Sequence, residues 1–151
     1  MNSEKIRWCC SQKKGIELME QNHHLSKAYL EEADETLDNV SSAKGKWKVI
    51  TAYYACYSAL YSILMKCGIK CEIHDCTIEL ASLFDFDRTQ LEYIRDLKDK
   101  RIQAQYYLKK MDLGDESRVK DFVLKCKTIL GALTTASIEN IRKKIYSINH
   151  L

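Results

Sequence analysis

The 151-residue sequence contains no proline and only five glycines, so few positions interrupt a helix. It also lacks a sustained strand pattern, because alternation of apolar and polar residues lasts for only a few positions around 69–73. With 46% hydrophobic residues, a chain of this length can bury a core without metals or disulfides. We predict one all-α domain over residues 1–151, an up-and-down bundle of four to five helices on which residues 1–20 pack as an N-terminal extension.

The sequence also has no large excess of positive or negative charge, since 24 basic and 21 acidic residues give a net charge of +3. This balance gives no indication of nucleic-acid binding through overall electrostatics. The N-terminal segment MNSEKIRWCCSQKKG has no apolar stretch of the about 7 to 15 residues that a secretory signal requires. Together with an odd count of seven cysteines, this predicts a cytoplasmic protein with reduced thiols. Cys9 and Cys10 are then ordinary helix residues rather than a redox pair.

The sequence has no apolar segment that is clearly long enough to span a membrane. Its most apolar segment, 49–65, is at the short limit for a bilayer and carries four tyrosines in its middle, so we expect no membrane role. On a helical wheel, apolar side chains cover this segment except for one thin polar stripe. The pattern predicts the central helix of a bundle, ending at Gly68.

The remaining segments predict the neighbours of this central helix. Asn22 is a suitable N-cap for a helix that ends in the polar turn SSAKGK, and IHDCTIELASLF is typical of a short helix. The segment from Gln90 to Met111 predicts a long helix, and a last long helix is expected from near Asp115 through Ile145. KIRWCC, near the N-terminus, indicates a further short helix.

A possible zinc site lies just after the central helix, where thiol and imidazole side chains follow the pattern C-x3-C-x2-H-x-C: Cys67, Cys71, His74 and Cys76. Structural zinc sites usually combine two closely spaced ligands from one loop with two from elsewhere, and this pattern does not. We therefore expect no bound metal and no cofactor. His74 is more simply explained as a residue at a helix start whose ring nitrogens bind nearby backbone groups.

Arg101 is the most informative residue because it falls on an apolar helix face. The other members of that face are Ile94, Leu97, Ala104, Leu108 and Met111. Burying an unpaired guanidinium is costly, so Arg101 must meet a carboxylate, carbonyl groups, an anionic ligand or a partner subunit. An arginine at the edge of the stripe that reaches solvent, or one in a structural ion pair, is the simplest explanation. Phosphate recognition is the more specific one, because the planar guanidinium binds two phosphate oxygens at once.

Three segments in a fixed order resemble the HEPN domain: AYYACYSALYSILMKCGIK, then IHD, then LKDKRIQAQYYL. The similarity is greatest to compact stand-alone archaeal and bacterial HEPN proteins related to the C-terminal domain of sacsin, and it extends from about Leu25 to the last helix. It implies an HEPN-like bundle of four or five helices that forms a homodimer. In such dimers the arginine-bearing helices of both subunits line a shared cleft, which would explain an arginine on an apolar face.

Many HEPN domains resemble metal-independent ribonucleases, often toxins paired with a small nucleotidyltransferase, and carry R-x4-6-H on this helix. Arg101 matches the arginine, but Tyr106, Tyr107 and Leu108 stand where the histidine is expected. A tyrosine hydroxyl, with a reference pKa of about 10, is a poor proton acceptor near neutral pH. The catalytic residues therefore stay unassigned, and His74 enters the cleft only if the short helix folds back over it.

Arg101 and the HEPN resemblance together predict binding of a nucleotide or RNA phosphate in a homodimer cleft. Lys98, Lys100, Tyr106 and Tyr107 are expected nearby, and the resemblance implies a toxin-antitoxin-like or nucleotidyltransferase-associated system. Two alternatives stay open. One is a metal-independent ribonuclease whose base is another residue, and the other is a helical interaction protein in which Arg101 serves dimer packing.

Overall fold

Helices dominate the computed structural model, which describes residues 1–151 and confirms the predicted all-α class. There are seven α-helices rather than four or five, together with a short 3-10 turn at Ala81–Leu83 and one two-stranded antiparallel sheet. In chain order the elements are α1 (Ser3–Ser11), β1 (Glu17–Leu18), α2 (His23–Asp38), α3 (Lys46–Cys67), β2 (Ile69–Lys70), α4 (His74–Leu80), α5 (Arg88–Gln105), α6 (Ser117–Ala132) and α7 (Thr135–Asn149).

The central position of α3 follows from its side chains, which are buried on almost every face. The helix packs against α2, α5 and α6, so it forms the axis of the bundle as the apolar pattern predicts. It ends at Gly68, which adopts the left-handed conformation with φ of 70°. None of the helices combines the length and the apolarity that a bilayer crossing requires.

The end of α3 is held by an arginine from the last helix. Nη1 of Arg142 donates to the carbonyl oxygens of Met19, Cys67 and Gly68 at 2.8, 2.9 and 2.9 Å. A Cβ atom at Gly68 would lie 2.4 Å from the Met19 oxygen and 2.5 Å from this nitrogen, so only glycine fits here. These contacts join α3, α7 and the segment next to β1.

Helix α5 is shorter than predicted. It begins at the Asp87 capping box, but it ends at Gln105 instead of Met111. Leu108 and Met111 continue the apolar spacing in the sequence, yet Leu108 is 72% exposed and has a left-handed backbone with φ of 54°. The chain turns back here because Lys109 N donates to the carbonyl oxygen of Gln103 at 3.0 Å. This hydrogen bond does not follow the i to i−4 pattern of an α-helix, so the helix cannot continue.

The predicted last helix is divided in two. Its apolar spacing continues across the break from Leu133 to Ile138, but α6 ends at Ala132 and α7 begins at Thr135. Thr134 caps α7, since its hydroxyl accepts from the backbone of Ser137 at 3.1 Å and its own N–H donates to the Ser137 hydroxyl at 2.9 Å. This reciprocal capping box replaces the helical hydrogen bonds at the break. At the start of α2, by contrast, Asn22 caps as expected and accepts from Leu25 N at 2.9 Å.

A disulfide joins Cys9 of α1 to Cys76 of α4, which are 67 residues apart in the sequence. The prediction that the thiols are reduced, with Cys9 an ordinary helix residue, is therefore wrong for this pair. The reason is a tertiary contact that no sequence spacing shows, because α1 packs against both α4 and α7 and brings the two Cα atoms within 5.7 Å. The other five cysteines are free thiols.

Candidate functional site

Arg101 lies on α5 and is only 6% exposed, so it is a buried charge as its position on the apolar face predicts. No carboxylate lies within 4 Å of it. Nη1 donates to the Tyr54 hydroxyl at 3.2 Å and to Oε1 of Gln105 at 3.4 Å, whereas Nε has no partner. A structural ion pair and an arginine reaching solvent from the stripe's edge are therefore both excluded as explanations.

Aromatic rings from two segments surround the guanidinium group. Its central carbon lies 4.7 Å from the ring centre of Tyr53, 5.6 Å from that of Tyr54 and 5.9 Å from that of Tyr106. Cation–π attraction to these rings offsets part of the cost of burying the charge. The rings accept no in-plane hydrogen bonds, so the edge formed by Nε and Nη2 stays without an acceptor.

His74, the first residue of α4, lies over the same tyrosines because the chain reverses direction at Gly68 and returns along α3. Its Nδ1 is 2.7 Å from the Tyr53 hydroxyl oxygen, and its ring stacks on Tyr57 with the centres 4.2 Å apart. The interpretation of His74 as a partner for backbone groups at a helix start is wrong, since the Tyr53 side chain binds this nitrogen. The short helix does fold back over α3, as a role for His74 beside Arg101 requires.

Burial and nearby positive charge fix the protonation of this pair. Burial lowers the pKa of His74, the charges of Arg101 and Lys98 lower it further, and Asp75 opposes them. Burial also raises the pKa of Tyr53, so the phenol keeps its proton at neutral pH. We therefore assign the hydrogen bond as donation from the Tyr53 hydroxyl to Nδ1, which leaves the proton of the neutral imidazole on Nε2.

The other predicted site residues divide into two groups. Lys98 lies one turn before Arg101 and forms an ion pair with Asp75, whose pKa is lowered chiefly by this hydrogen bond. Tyr106 also lies beside Arg101. Tyr107 is 66% exposed, and Nζ of Lys100 donates to the Asp112 carbonyl oxygen at 2.9 Å in the loop after α5, so the structure does not bring these two residues to the site.

We call Arg101, Lys98, His74, Tyr53 and Tyr54 the Arg101 site. Sequence reasoning missed Tyr53 and Tyr54 as site residues, because both fit the apolar pattern of α3. It placed His74 at the site only on the condition that the short helix folds back, because His74 also fits a helix start. The signal that could have found them is the Gly68 turn. A chain that reverses immediately after a helix places the next few side chains along that helix.

The C-x3-C-x2-H-x-C pattern is not assembled into a ligand group. No set of three or more histidine, cysteine, aspartate or glutamate side chains converges, and Cys76 is bonded to Cys9. Sγ of Cys71 donates to the Ile73 carbonyl oxygen at 3.4 Å, and burial raises the pKa of the Cys67 thiol to about 11. A thiol that resists ionisation is a poor zinc ligand, since zinc binds thiolate.

Comparisons of the chain with protein-family models, with curated proteins and with solved structures give no match. The Arg101 site combines a buried guanidinium edge, an imidazole N–H and a lysine with a single carboxylate. Such a set of donors can bind an anion.

Proposed function

We propose that the protein binds the phosphate group of a nucleotide or RNA at the Arg101 site. The observation that carries the proposal is a buried guanidinium with no carboxylate partner, whose Nη1 makes both hydrogen bonds and whose Nε makes none. Burying such a group is costly unless a ligand completes its hydrogen bonds. Nε and Nη2 form the edge that binds two oxygens of a phosphate side by side.

The charges around Arg101 also favour an anion. Lys98 and Asp75 offset each other in their ion pair, so the guanidinium leaves the site one positive charge in excess. Nε2 of His74 has no acceptor within the chain and, in the assigned tautomer, offers a further N–H. Tyr106, an exposed side chain at the end of α5 whose ring centre lies 5.9 Å from the guanidinium carbon, completes the proposed site.

A metal-independent ribonuclease is the second candidate, because His74 has a lowered pKa and lies in the same cluster as Arg101. As a base, Nε2 would take the proton of a ribose 2′-hydroxyl while the 2′-oxygen attacks the phosphorus, and Arg101 would stabilise the added negative charge. The P–O5′ bond then breaks to give a 2′,3′-cyclic phosphate, and the 5′-oxygen leaves as a hydroxyl after taking a proton from water. Proton transfer to Nε2 needs the opposite tautomer, with Nδ1–H donating to Tyr53. The Tyr53 proton would then lose its acceptor, so the geometry favours binding over cleavage.

The homodimer with a shared cleft is part of the proposal. Large apolar side chains are exposed in the single chain at the start of α3 and just after the end of α5, the helix that carries Arg101: Trp47, Tyr106, Tyr107 and Leu108. A second copy covering them by two-fold symmetry would bury this surface and place two arginines in one cleft. We also propose an HEPN-type association with a nucleotidyltransferase, which depends on the motif resemblance alone. Sedimentation at high micromolar concentration tests the dimer, and a monomer there would contradict the shared cleft.

We propose a cytoplasmic location despite the disulfide. Five cysteines remain free, and both sulfurs of the Cys9–Cys76 pair belong to fully buried residues, where soluble reductants reach them poorly. Trapping thiols with an alkylating reagent in intact cells, followed by mass spectrometry, tests this. Free thiols at both positions inside cells would show that the disulfide does not survive there.

Binding measured by NMR titration tests the phosphate proposal. We expect Arg101→Ala to weaken binding of inorganic phosphate and of AMP by about 1.5 to 3 kcal/mol, the range for a lost charged hydrogen bond. Arg101→Lys should fall in between, because lysine keeps the charge but not the two-nitrogen edge. Arg88→Ala is the matched control, since Arg88 lies on the same helix but is exposed and pairs with Glu92.

Two outcomes would contradict these assignments. An Arg101→Ala protein that is equally stable and binds phosphate like the wild type would remove Arg101 as the ligand and leave the interaction-protein alternative. Cleavage of a short RNA in EDTA by the wild type, lost in both Arg101→Ala and His74→Gln, would establish the ribonuclease instead. Cleavage that survives His74→Gln would come from another group or a contaminant.

A further inference from the structure

A basic groove lies between the start of α3 and the loop after α5. Its volume is about 580 Å³, within the range of about 300 to 1,000 Å³ typical of ligand sites. Three ammonium groups from the two segments line it: Lys46, Lys109 and Lys110. Most of the other lining residues are small or apolar: Gly45, Ala104, Leu108 and Met111. We call it the lysine groove.

The three lysines of this groove have no partners within the chain. All are exposed, and none of them forms an ion pair or donates a side-chain hydrogen bond. One carboxylate lines the groove, that of Asp112, and its Oδ1 accepts from the backbone of Gly114 at 2.9 Å. Three ammonium groups against one carboxylate leave two positive charges in excess, which favours a ligand with several negative charges.

Two other lysines close to the groove are bound within the chain. Lys48 pairs with Glu116 at 2.6 Å, and Nζ of Lys100 donates to the Asp112 carbonyl oxygen at 2.9 Å. Acceptors are therefore present nearby, yet the ammonium groups of the groove face solvent. Like charges held close together repel one another, and a polyanion that lies along them relieves this repulsion.

An exposed indole ring stands beside the groove. Trp47 follows Lys46, is 57% exposed, and has the Lys46 ammonium 5.3 Å from its ring centre. No other aromatic ring packs against Trp47, whereas the tyrosines along α3 stack on His74 and on one another. Proteins bind single-stranded nucleic acids with this combination, because bases stack on the rings and phosphates follow the positive charges.

We infer that the lysine groove binds a single strand of RNA, with phosphates at the three lysines and a base on Trp47. The inference goes beyond the proposed function, because the groove uses no residue of the Arg101 site. An acidic peptide would need the lysines but not the ring, and a duplex keeps its bases stacked inside. RNA is chosen over DNA because it is the main single strand in the cytoplasmic location that we propose.

The proposed dimer brings a second copy of the chain near the same region. Lysine is depleted at protein–protein interfaces, so the unpaired lysines fit the rim of such an interface better than its centre. A groove at the rim stays open to a strand. A second copy that covers the groove itself is the competing occupant, and the oligomeric state of lysine variants distinguishes the two.

The experiment measures binding of fluorescein-labelled decauridylate to the full chain by fluorescence anisotropy at several salt concentrations. Three phosphate contacts should give a slope of about −2 when the logarithm of the association constant is plotted against that of the salt concentration. Replacing all three lysines of the groove by alanine should weaken binding and bring this slope close to zero. The control replaces three exposed lysines of α6 and α7 by alanine, which changes the net charge equally and should keep the slope: Lys120, Lys143 and Lys144.

The contribution of the ring is tested separately. Trp47→Leu should weaken decauridylate binding by about 5- to 100-fold, the range for one stacked base, and leave the salt slope unchanged. Trp47→Phe keeps an aromatic ring and should retain part of the affinity. Trp8→Leu is the matched control, because Trp8 is also exposed and has the Lys5 ammonium 5.4 Å from its ring centre, but lies on α1.

Competing probes decide between the occupants. Decaglutamate that displaces the label as well as unlabelled decauridylate would overturn RNA in favour of an acidic peptide, and a better competitor in decathymidylate would make the strand DNA. Altered sedimentation of the variant without the groove lysines would identify a second copy as the occupant. Absence of decauridylate binding, with AMP still bound through Arg101, would overturn the groove alone. Decauridylate binding that depends on the groove, without any AMP binding, would keep the groove and overturn the phosphate site.

Discussion

Arg101 and Arg142 both extend from a helix toward the interior, but their guanidinium groups meet different surroundings. Nη1 of Arg142 binds three backbone carbonyl oxygens at 2.8 to 2.9 Å and thereby closes the end of α3. Arg101 binds one hydroxyl and one amide at 3.2 and 3.4 Å and has an unpaired Nε. Arg101 is also the more buried of the two, at 6% exposure.

The difference is the one expected between a structural arginine and the phosphate-binding arginine that we propose. Carbonyl groups at a helix C-terminus carry partial negative charge, so Arg142 compensates both the charge and the unpaired acceptors. The rings around Arg101 compensate only part of its charge, and its Nε–Nη2 edge is where the proposed phosphate would bind. Removal of the charge should therefore lower the stability of the fold at Arg142 and the affinity for phosphate at Arg101.

The largest effect is expected for Arg142→Ala. It removes a charged donor from three carbonyl groups and should lower the free energy of unfolding by about 3 to 4 kcal/mol. Urea unfolding followed by circular dichroism measures this. Lys143→Ala is the control on the same helix, because Lys143 is exposed, pairs only with Glu139 and should matter little. A stability loss under about 1 kcal/mol would remove the structural role of Arg142.

The disulfide should have the next largest effect, because α1 contacts both α4 beside the Arg101 site and α7, which carries Arg142. Replacing Cys9 and Cys76 together by alanine should lower the free energy of unfolding by about 2 to 4 kcal/mol. Cys10→Ala, a free and half-buried neighbour, is the control. Thiol titration of the denatured, unreduced protein should find five thiols, and seven would show that the bond does not form.

Arg101→Met is expected to change stability by less than about 1 kcal/mol in either direction, although it replaces a buried residue. An unpaired buried charge contributes little or nothing to stability, and an apolar side chain of similar length fits among the tyrosines. Phosphate binding should nevertheless be lost in the same protein. Destabilisation as large as that of Arg142→Ala would show that Arg101 is a second structural arginine, and the two residues would then not differ in role.

The sequence predicted the helical frame where local signals are strong. The cap at Asn22, the end of α3 at Gly68 and the burial of Arg101 follow from side-chain chemistry and periodicity. The ends of α5 and α6 did not follow, because apolar spacing continues past both of them. The backbone hydrogen bond from Lys109 to Gln103 ends α5, and the capping box at Thr134 starts a new helix just after α6, although the apolar spacing would allow both helices to continue.

The candidate site was only half predictable for a similar reason. Arg101 could be found on one helix because a charge on an apolar face is visible in the sequence. The bond from Tyr53 to His74 and the disulfide from Cys9 to Cys76 join residues 21 and 67 positions apart. Both depend on how α4 packs on α3 and α1, and no single-helix pattern carries that information.

The smallest effect concerns His74 and pH. Because its pKa in the folded protein lies below the ordinary value, the unfolded chain takes up a proton that the folded protein resists. The stability that neutral His74 provides is therefore complete above about pH 6.5 and is lost as pH falls through the folded pKa. His74→Gln should flatten the pH dependence of unfolding between pH 7.5 and 5.5, whereas His24→Gln, at an exposed position, should not. An identical pH slope in wild type and His74→Gln would mean that burial, together with the charges of Arg101 and Lys98, does not hold this imidazole neutral. The assignment of the Tyr53 hydroxyl as the donor to Nδ1 of His74 would then lose its support.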